Sequence, residues 1–272
     1  MQGMALVTVL FILTLMTVTV SWLSEDVLLA LRRTENIRDV EQSWQMLMGS
    51  ESWAVSVLAR DGRESQADHP AESWNNLGQG VQIEHGILTT VIEDMQGRFN
   101  LNNMIDESTV DFQPTGGQPE PRIWTQAFRR LLVSLELNPD LSDAVLDWLD
   151  PDQNVRGASG AEDSDYLSLE PPYRAANHQF SDVSELLQIK GFDVKTVQLL
   201  APYLVALPVS GVSININTAP AGVLRILGKN LLSEGESERL VSERPEEGYT
   251  LEEFLQHDMM SGEQEIASPL IG

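Results

Sequence analysis

The chain of 272 residues contains no cysteine. No disulfide can staple it, and no thiolate can serve as nucleophile or metal ligand. Positive charge is scarce: 17 Lys and Arg stand against 41 Asp and Glu, for a net charge of −24. Such a chain repels a phosphate backbone, which argues against nucleic acid as a partner. Only 4 His are present and they are scattered, so a zinc centre has no ligand set. No G-x-S-x-G, H-E-x-x-H or phosphate-binding glycine loop occurs. A glycosidase-like carboxylate pair cannot be assigned from an acidic loop alone. A non-enzymatic protein is expected. Disorder is excluded by a hydrophobic fraction of 42%. One further absence is local: Met1 to Ser24 holds no Asp, Glu, Lys, Arg or His, and the first charge is Glu25.

From Met4 to Leu23 the chain is almost wholly apolar. As a helix those ~20 residues span about 30 Å, the thickness of a bilayer's hydrocarbon core. The Thr and Ser among them can bond back to the helix itself. A cleaved secretory signal would carry a basic start and a small-x-small site, and neither is present. The helical pattern runs on instead. Ile37, Val40, Trp44, Leu47, Met48, Val55 and Leu58 recur at three- and four-residue steps, forming one apolar stripe to about Arg60. Asp61-Gly62-Arg63 should end it, and a polar linker with Pro70 follows.

The period then changes. Val81, Ile83 and His85 alternate with polar residues, Gly86 turns the chain, and Ile87 to Ile92 is β-branched and apolar. This predicts a hairpin or a pair of strands placed to pack on the helical stripe. Gly97 and the asparagines after it read as a bulge and turn closing that sheet. Between Asn103 and Pro208 the pattern is helical. One helix is marked by Ile123, Ala127, Leu131, Leu132, Leu135 and Leu137, and a second by Leu141, Ala144, Val145 and Leu149. Two more are expected at Val183 to Ile189 and Val194 to Leu207. Asn217 or Thr218 is a candidate N-cap with Pro220 in the first turn. Tyr249 to Leu255 reads as a short capped helix, and Ser261 to Gly272 as a polar tail.

The chemically richest stretch runs from Asp147-Trp148-Leu149-Asp150-Pro151-Asp152 to Glu162-Asp163-Ser164-Asp165. Helix should end before Pro151, which leaves Asp150 and Asp152 on a turn. The intervening glycines let the chain return and bring Glu162 and Asp163 near them. Two readings fit: a solvated acidic loop with helix caps, or an oxygen-rich site for a hard cation. Ca²⁺, which takes six to eight oxygens, suits the second, and Zn²⁺ does not. The candidate ligands are Asp150, Asp152, Glu162, Asp163 and Asn177, with Asp147 and Asp165 weaker.

Two further segments, Leu186 to Asp193 and Val223 to Asn230, look like helix-hairpin-helix turns. Such turns hold phosphate where a second glycine follows. Here Asp193 and Asn230 occupy that place, so packing units of the sterile-alpha-motif type are expected rather than DNA contacts.

Several stretches together resemble one family. They are Asp94-Met95-Gln96-Gly97-Arg98-Phe99-Asn100-Leu101-Asn102, Gly160-Ala161-Glu162-Asp163 with Tyr166, Pro171-Pro172-Tyr173-Arg174 with Asn177, and Ile214-Asn215-Ile216-Asn217-Thr218-Ala219. They are similar to the minor pseudopilin K family of type II secretion. Gly3 followed by Met4 resembles the site at which a prepilin peptidase cuts pilin-like leaders. Position 8 is Thr where pilins usually carry Glu, as is characteristic of the K members.

The resemblance implies an α+β fold. A pilin-like long N-terminal helix, transmembrane in its first half, would pack on a small antiparallel sheet, and a large all-α insertion would hold the hairpin units. The expected divisions are a leader at 1–3, a transmembrane helix at 4–24, its amphipathic continuation at 25–61 and a pilin-type β region at 72–102. The all-α insertion follows at 103–208, and a second hairpin unit with the end of the pilin domain at 209–272. Family members normally continue into further strands.

The resemblance also implies a subunit at the tip of the periplasmic pseudopilus, anchored in the bacterial inner membrane and bound to minor pseudopilins I and J, then H and the major pseudopilin G. It would help start pseudopilus assembly and export of folded proteins, and it would hold calcium in the insertion. The alternative is a bitopic, membrane-anchored periplasmic module that captures exported proteins without leader processing.

Overall fold

A computed structural model describes residues 2–65, 67–78, 80–83, 86–105 and 123–272. The chain divides into two compact units, residues 1–64 with 77–91, and residues 65–76 with 92–272.

The first unit is built on one helix, α1 (Gln2–Glu64). At 1.5 Å per residue it is about 95 Å long. It ends three residues past Asp61, close to the predicted stop. In its charge-free first stretch five side-chain hydroxyls each find a carbonyl one turn back: Thr8 to Met4 (3.1 Å), Thr14 to Leu10 (3.0 Å), Thr17 to Leu13 (3.0 Å), Thr19 to Leu15 (3.0 Å) and Ser24 to Val20 (2.8 Å). Such polar groups cost little in lipid because their bonds are made inside the helix. This helix is long and apolar enough to cross a membrane.

The expected hairpin forms from β1 (Val81–Ile83) and β2 (Gly86–Leu88), antiparallel with Val81 opposite Leu88. Residues 84 and 85 of the predicted alternation lie outside the described residues. β2 stops at Leu88 rather than Ile92, and among the described residues its partner is the three-residue β1. So small a hairpin does not cover the stripe as predicted. Val40, Trp44 and Val55 remain exposed.

The second unit holds the core. β3 (Phe99–Asn100) pairs in parallel with β4 (Leu204–Val205). Helix α2 (Ile123–Ser134) buries Ala127, Leu131 and Leu132 as predicted and Phe128 beside them, while Ile123 is exposed at its start. Each fully buried Leu or Phe there contributes roughly 1.5–3 kcal/mol. Leu135 and Leu137 lie past its end. Helix α3 (Leu141–Leu149) packs beside it, followed by the short α4 (Asp163–Tyr166) and a 3-10 turn at Val183–Gln188.

Helix α5 (Val194–Leu200) is shorter than the predicted segment to Leu207. Pro202 has no N–H to give the carbonyl four residues back, so the chain passes through one 3-10 turn into β4. After α5 come α6 (Ala221–Leu224), α7 (Glu234–Ser242), α8 (Leu251–Gln256) and α9 (Gln264–Ala267).

The two hairpin-like turns differ in detail. Gly191 has φ 92°, whereas Gly228 has φ −84°. Asp193 caps α5 by accepting from the Thr196 N–H at 2.7 Å, which is the work a carboxylate does best there.

Two sequence expectations are corrected. Neither Asn217 nor Thr218 caps α6, since Pro220 sits in that position. The Asn217 amide is spent on both backbone groups of Tyr249, and the Thr218 hydroxyl donates to Asp94 Oδ2 at 2.6 Å. The tail is not merely polar either. Ala267, Leu270 and Ile271 are buried, and Ile271 bridges Ile214 in parallel.

Candidate metal centre

Helix α3 buries its apolar residues and delivers Asp147 into its last turn. Asp150 closes the helix, its N–H bonding Leu146 O at 3.0 Å, and takes an extended conformation as the residue before Pro151 must. Two side-chain turns then bend the chain. Asp150 Oδ1 accepts from the Asp152 N–H at 3.2 Å, and Asp152 Oδ1 accepts from the Asn154 N–H at 2.6 Å. Gly160 lets the loop fold back on α3. A Cβ there would lie 2.3 Å from both Asp147 Oδ2 and the Arg156 carbonyl, so no larger residue fits. Glu162 then stands at the head of α4, its N–H near Asp165 Oδ2 at 3.4 Å.

The outcome is a cluster. Asp150, Asp152 and Glu162 each offer an oxygen, and these oxygens lie within 4.8 Å of one another. Two ligands at about 2.4 Å from one ion can be no more than about 4.8 Å apart, so the set fits a single Ca²⁺-sized cation. Glu162 is 1% exposed, and both of its carboxylate oxygens are buried with no hydrogen-bond partner. Burial first, and then the charges of Asp147, Asp150, Asp152 and Asp163, push its carboxyl up to about 8. Burial likewise pushes Asp147 up to about 7 and raises Asp150. The carboxylates also sit at the negative end of α3. Excess negative charge of this kind must be met by protons or by a cation.

Of the predicted ligands, three are brought together and two are placed differently. Asp163 lies outside the cluster. Its Oδ2 pairs with Arg174 Nη1 at 2.7 Å and its Oδ1 accepts from the Ala175 N–H at 3.1 Å. Asn177 adopts a left-handed conformation (φ 52°) and donates its N–H to Trp148 O at 2.9 Å. Its Oδ1 is buried without a partner. Asp165 turns away to Lys190 Nζ at 2.8 Å, which holds its carboxyl below the usual range.

The residue missed by sequence reasoning is Arg156, whose guanidinium lies 3.3 Å from Asp147 and 2.5 Å from Asp150. Its signal was present, because it is the one basic residue between Asp147 and Asp165. Gly3, Met4 and Thr8 all lie within α1, and Met4 and Thr8 are exposed along it.

Two family models, both described as protein K of the type II secretion system, match residues 97–209 and 214–272. The type II secretion system protein K of Pseudomonas aeruginosa is 36% identical over 268 residues, covering 94% of this chain and 76% of that protein. The protein K of Pectobacterium carotovorum subsp. carotovorum is 34% identical over 263 residues, covering 94% and 79%. A chain in the crystal structure of the GspK-GspI-GspJ complex from enterotoxigenic Escherichia coli shares the fold. Its TM-score is 0.73 at 23% identity, over 88% of this chain and 84% of that one.

Proposed function

Because the chain belongs to the protein K family of type II secretion systems, we propose that it is a non-enzymatic minor pseudopilin at the tip of the secretion pseudopilus. The observation that carries this reading is likeness along nearly the whole chain, joined to an N-terminal helix long and apolar enough to cross a membrane, with Thr8, Thr17 and Ser24 bonded to carbonyls one turn back. Helix α1 would anchor the protein in the inner membrane with the second unit in the periplasm. A prepilin peptidase would cut between Gly3 and Met4, after which Met4 would be N-methylated. The partners are minor pseudopilins I and J, the proteins found with the K subunit in the solved complex, followed by H and the major pseudopilin G. The role is to start pseudopilus assembly and so export of folded proteins. The turns at Gly191 and Gly228 serve as sterile-alpha-motif-like packing units.

Calcium is the cofactor that the cluster suits. Asp150, Asp152 and Glu162 would hold it, and Asn177 Oδ1 is a neutral oxygen still lacking a partner. The ion would supply positive charge where three carboxylates converge. The orphaned oxygens of Glu162 support this reading over a solvated loop, because a solvated carboxylate is not buried.

The test is co-purification of the full-length protein with the I and J subunits of the same secretion system from detergent-extracted membranes. A stable three-way complex that loses integrity when this chain is omitted is expected. An I–J complex that never retains the chain contradicts the reading.

A further inference from the structure

Arg156 is enclosed in the acidic loop by both its side chain and its backbone. Its Nε lies 3.0 Å and its Nη2 2.5 Å from Asp150 Oδ2. The same Nε is 3.3 Å from Asp147 Oδ1. Its peptide N–H donates to Asp147 Oδ2 at 3.1 Å, and its carbonyl accepts from the Gly160 N–H at 3.0 Å. The two aspartate side chains have no exposure at all, while that of Arg156 keeps 19%. The three buried carboxylates Asp147, Asp150 and Glu162 are therefore unequally served. Asp147 and Asp150 share a resident guanidinium. Glu162 is just as deeply buried, yet neither of its oxygens has a hydrogen-bond donor.

We propose that Arg156 is a resident counter-cation that sets the affinity of the site for divalent cations. This rests on the reading of the cluster as a calcium site. Two physical consequences follow from one fixed charge. Without an ion, the guanidinium keeps two buried aspartates from repelling each other, so the loop from Asp150 to Glu162 stays folded back on α3. With an ion, the same charge opposes it across the shared carboxylate of Asp150. Oxygen sites are tuned by the net charge of their ligands, and Arg156 removes one negative charge from this set. The site therefore binds reversibly and remains ordered when empty. The contrasting role is a purely orienting one, in which Arg156 aims Asp150 at the ion and its loss weakens binding.

The full-length protein in detergent micelles decides between them, by calorimetric Ca²⁺ titration together with thermal midpoints at zero and saturating Ca²⁺. R156Q is expected to bind Ca²⁺ about tenfold more tightly than wild type, since a positive charge facing the ion is gone. It should melt lower without Ca²⁺ and recover most of that loss with it. R156K keeps the charge without the planar fork and should bind within about threefold of wild type. Unchanged or weaker Ca²⁺ binding in R156Q overturns the inference. If R156Q does not fold without Ca²⁺, R156K decides: affinity near wild type supports the role of charge, and a loss of about tenfold or more overturns it. Absence of saturable binding in wild type and R156Q alike overturns the calcium reading itself, which is a different result.

Discussion

Asn102 pairs with Phe180 as one strand residue pairs with another. The Phe180 N–H donates to Asn102 Oδ1 at 2.7 Å, and Asn102 Nδ2 donates to the Phe180 carbonyl at 2.9 Å. The same Nδ2 reaches Leu207 O at 2.7 Å. Asn103 clasps both backbone groups of Val212, and Asn100 accepts from Leu207 N and donates to Val209 O. Three side-chain amides thus replace a stretch of sheet and tie the end of β3 and the turn after it to two distant loops. Asn102→Ala leaves several buried backbone groups unsatisfied and should cost about 2–4 kcal/mol. Urea unfolding of the full chain followed by tryptophan fluorescence measures it. A change below about 0.5 kcal/mol would show that water replaces the amide.

Gly97 is held by proximity rather than by a left-handed backbone. A Cβ at this position would lie 2.8 Å from the carbonyl carbon and oxygen of Thr218, whose hydroxyl is bonded to Asp94. Gly97→Ala must separate these two segments and should destabilise by about 1–3 kcal/mol. The same unfolding measurement applies, and a midpoint equal to wild type contradicts the close approach.

Glu162→Gln keeps the shape of the site and removes the charge that lacks a partner. Terbium, a calcium stand-in, should bind wild type with luminescence sensitised by Trp148, the neighbour of Asp147 in sequence. That signal should fall at least about tenfold in E162Q. Equal luminescence in the two proteins would place the ion elsewhere.

The raised carboxyls fix a pH dependence. In the folded, calcium-free protein Glu162 titrates near 8 and Asp147 near 7, against ordinary values of 4.5 and 3.8. The folded state therefore binds more protons than the unfolded state across that window. Their contribution to stability is full below about pH 4 and is lost as pH rises toward 8. Carboxyls held low, such as Asp165, titrate beneath this window. Thermal midpoints without calcium should fall between pH 5 and about 8.5, and the gain on adding calcium should grow over the same range. A calcium-free midpoint that rises or stays level is the contrary result.

How much of this was legible in the sequence depends on how local the cause is. The charge-free run to Ser24, the stop before Pro151 and the short capped helix after Tyr249 follow from neighbours in the chain, and all three are present. Asp150, Asp152 and Glu162 were legible because proline and glycine announce the turns that bring them together. Asp163 was not separable from Glu162 by spacing, since what removes it is Arg174 in a distant loop. The asparagines after β3 look like turn residues until Phe180, Leu207 and Val212 arrive from far along the chain. Leu204 continued a helical period that Pro202 had already broken.

Thr8 bonds its hydroxyl to Met4 O and presents no charge. In the pilin arrangement that the family resemblance implies, a Glu at this place pairs with the N-terminal amine of the subunit ahead. A tip subunit has none ahead, and an unpaired carboxylate in lipid is expensive. Thr8→Glu should reduce pseudopilus assembly and secretion by at least about tenfold, read by secreted-protein levels in a strain carrying only the variant. Wild-type secretion would remove the argument for a tip-specific residue.

The most direct measurement is the mass of the N-terminal peptide of the membrane-extracted protein, from cells with and without prepilin peptidase. The account predicts a chain beginning at N-methylated Met4 only where the peptidase is present. An uncut N-terminus in both strains contradicts it and leaves a membrane-anchored binding module in its place.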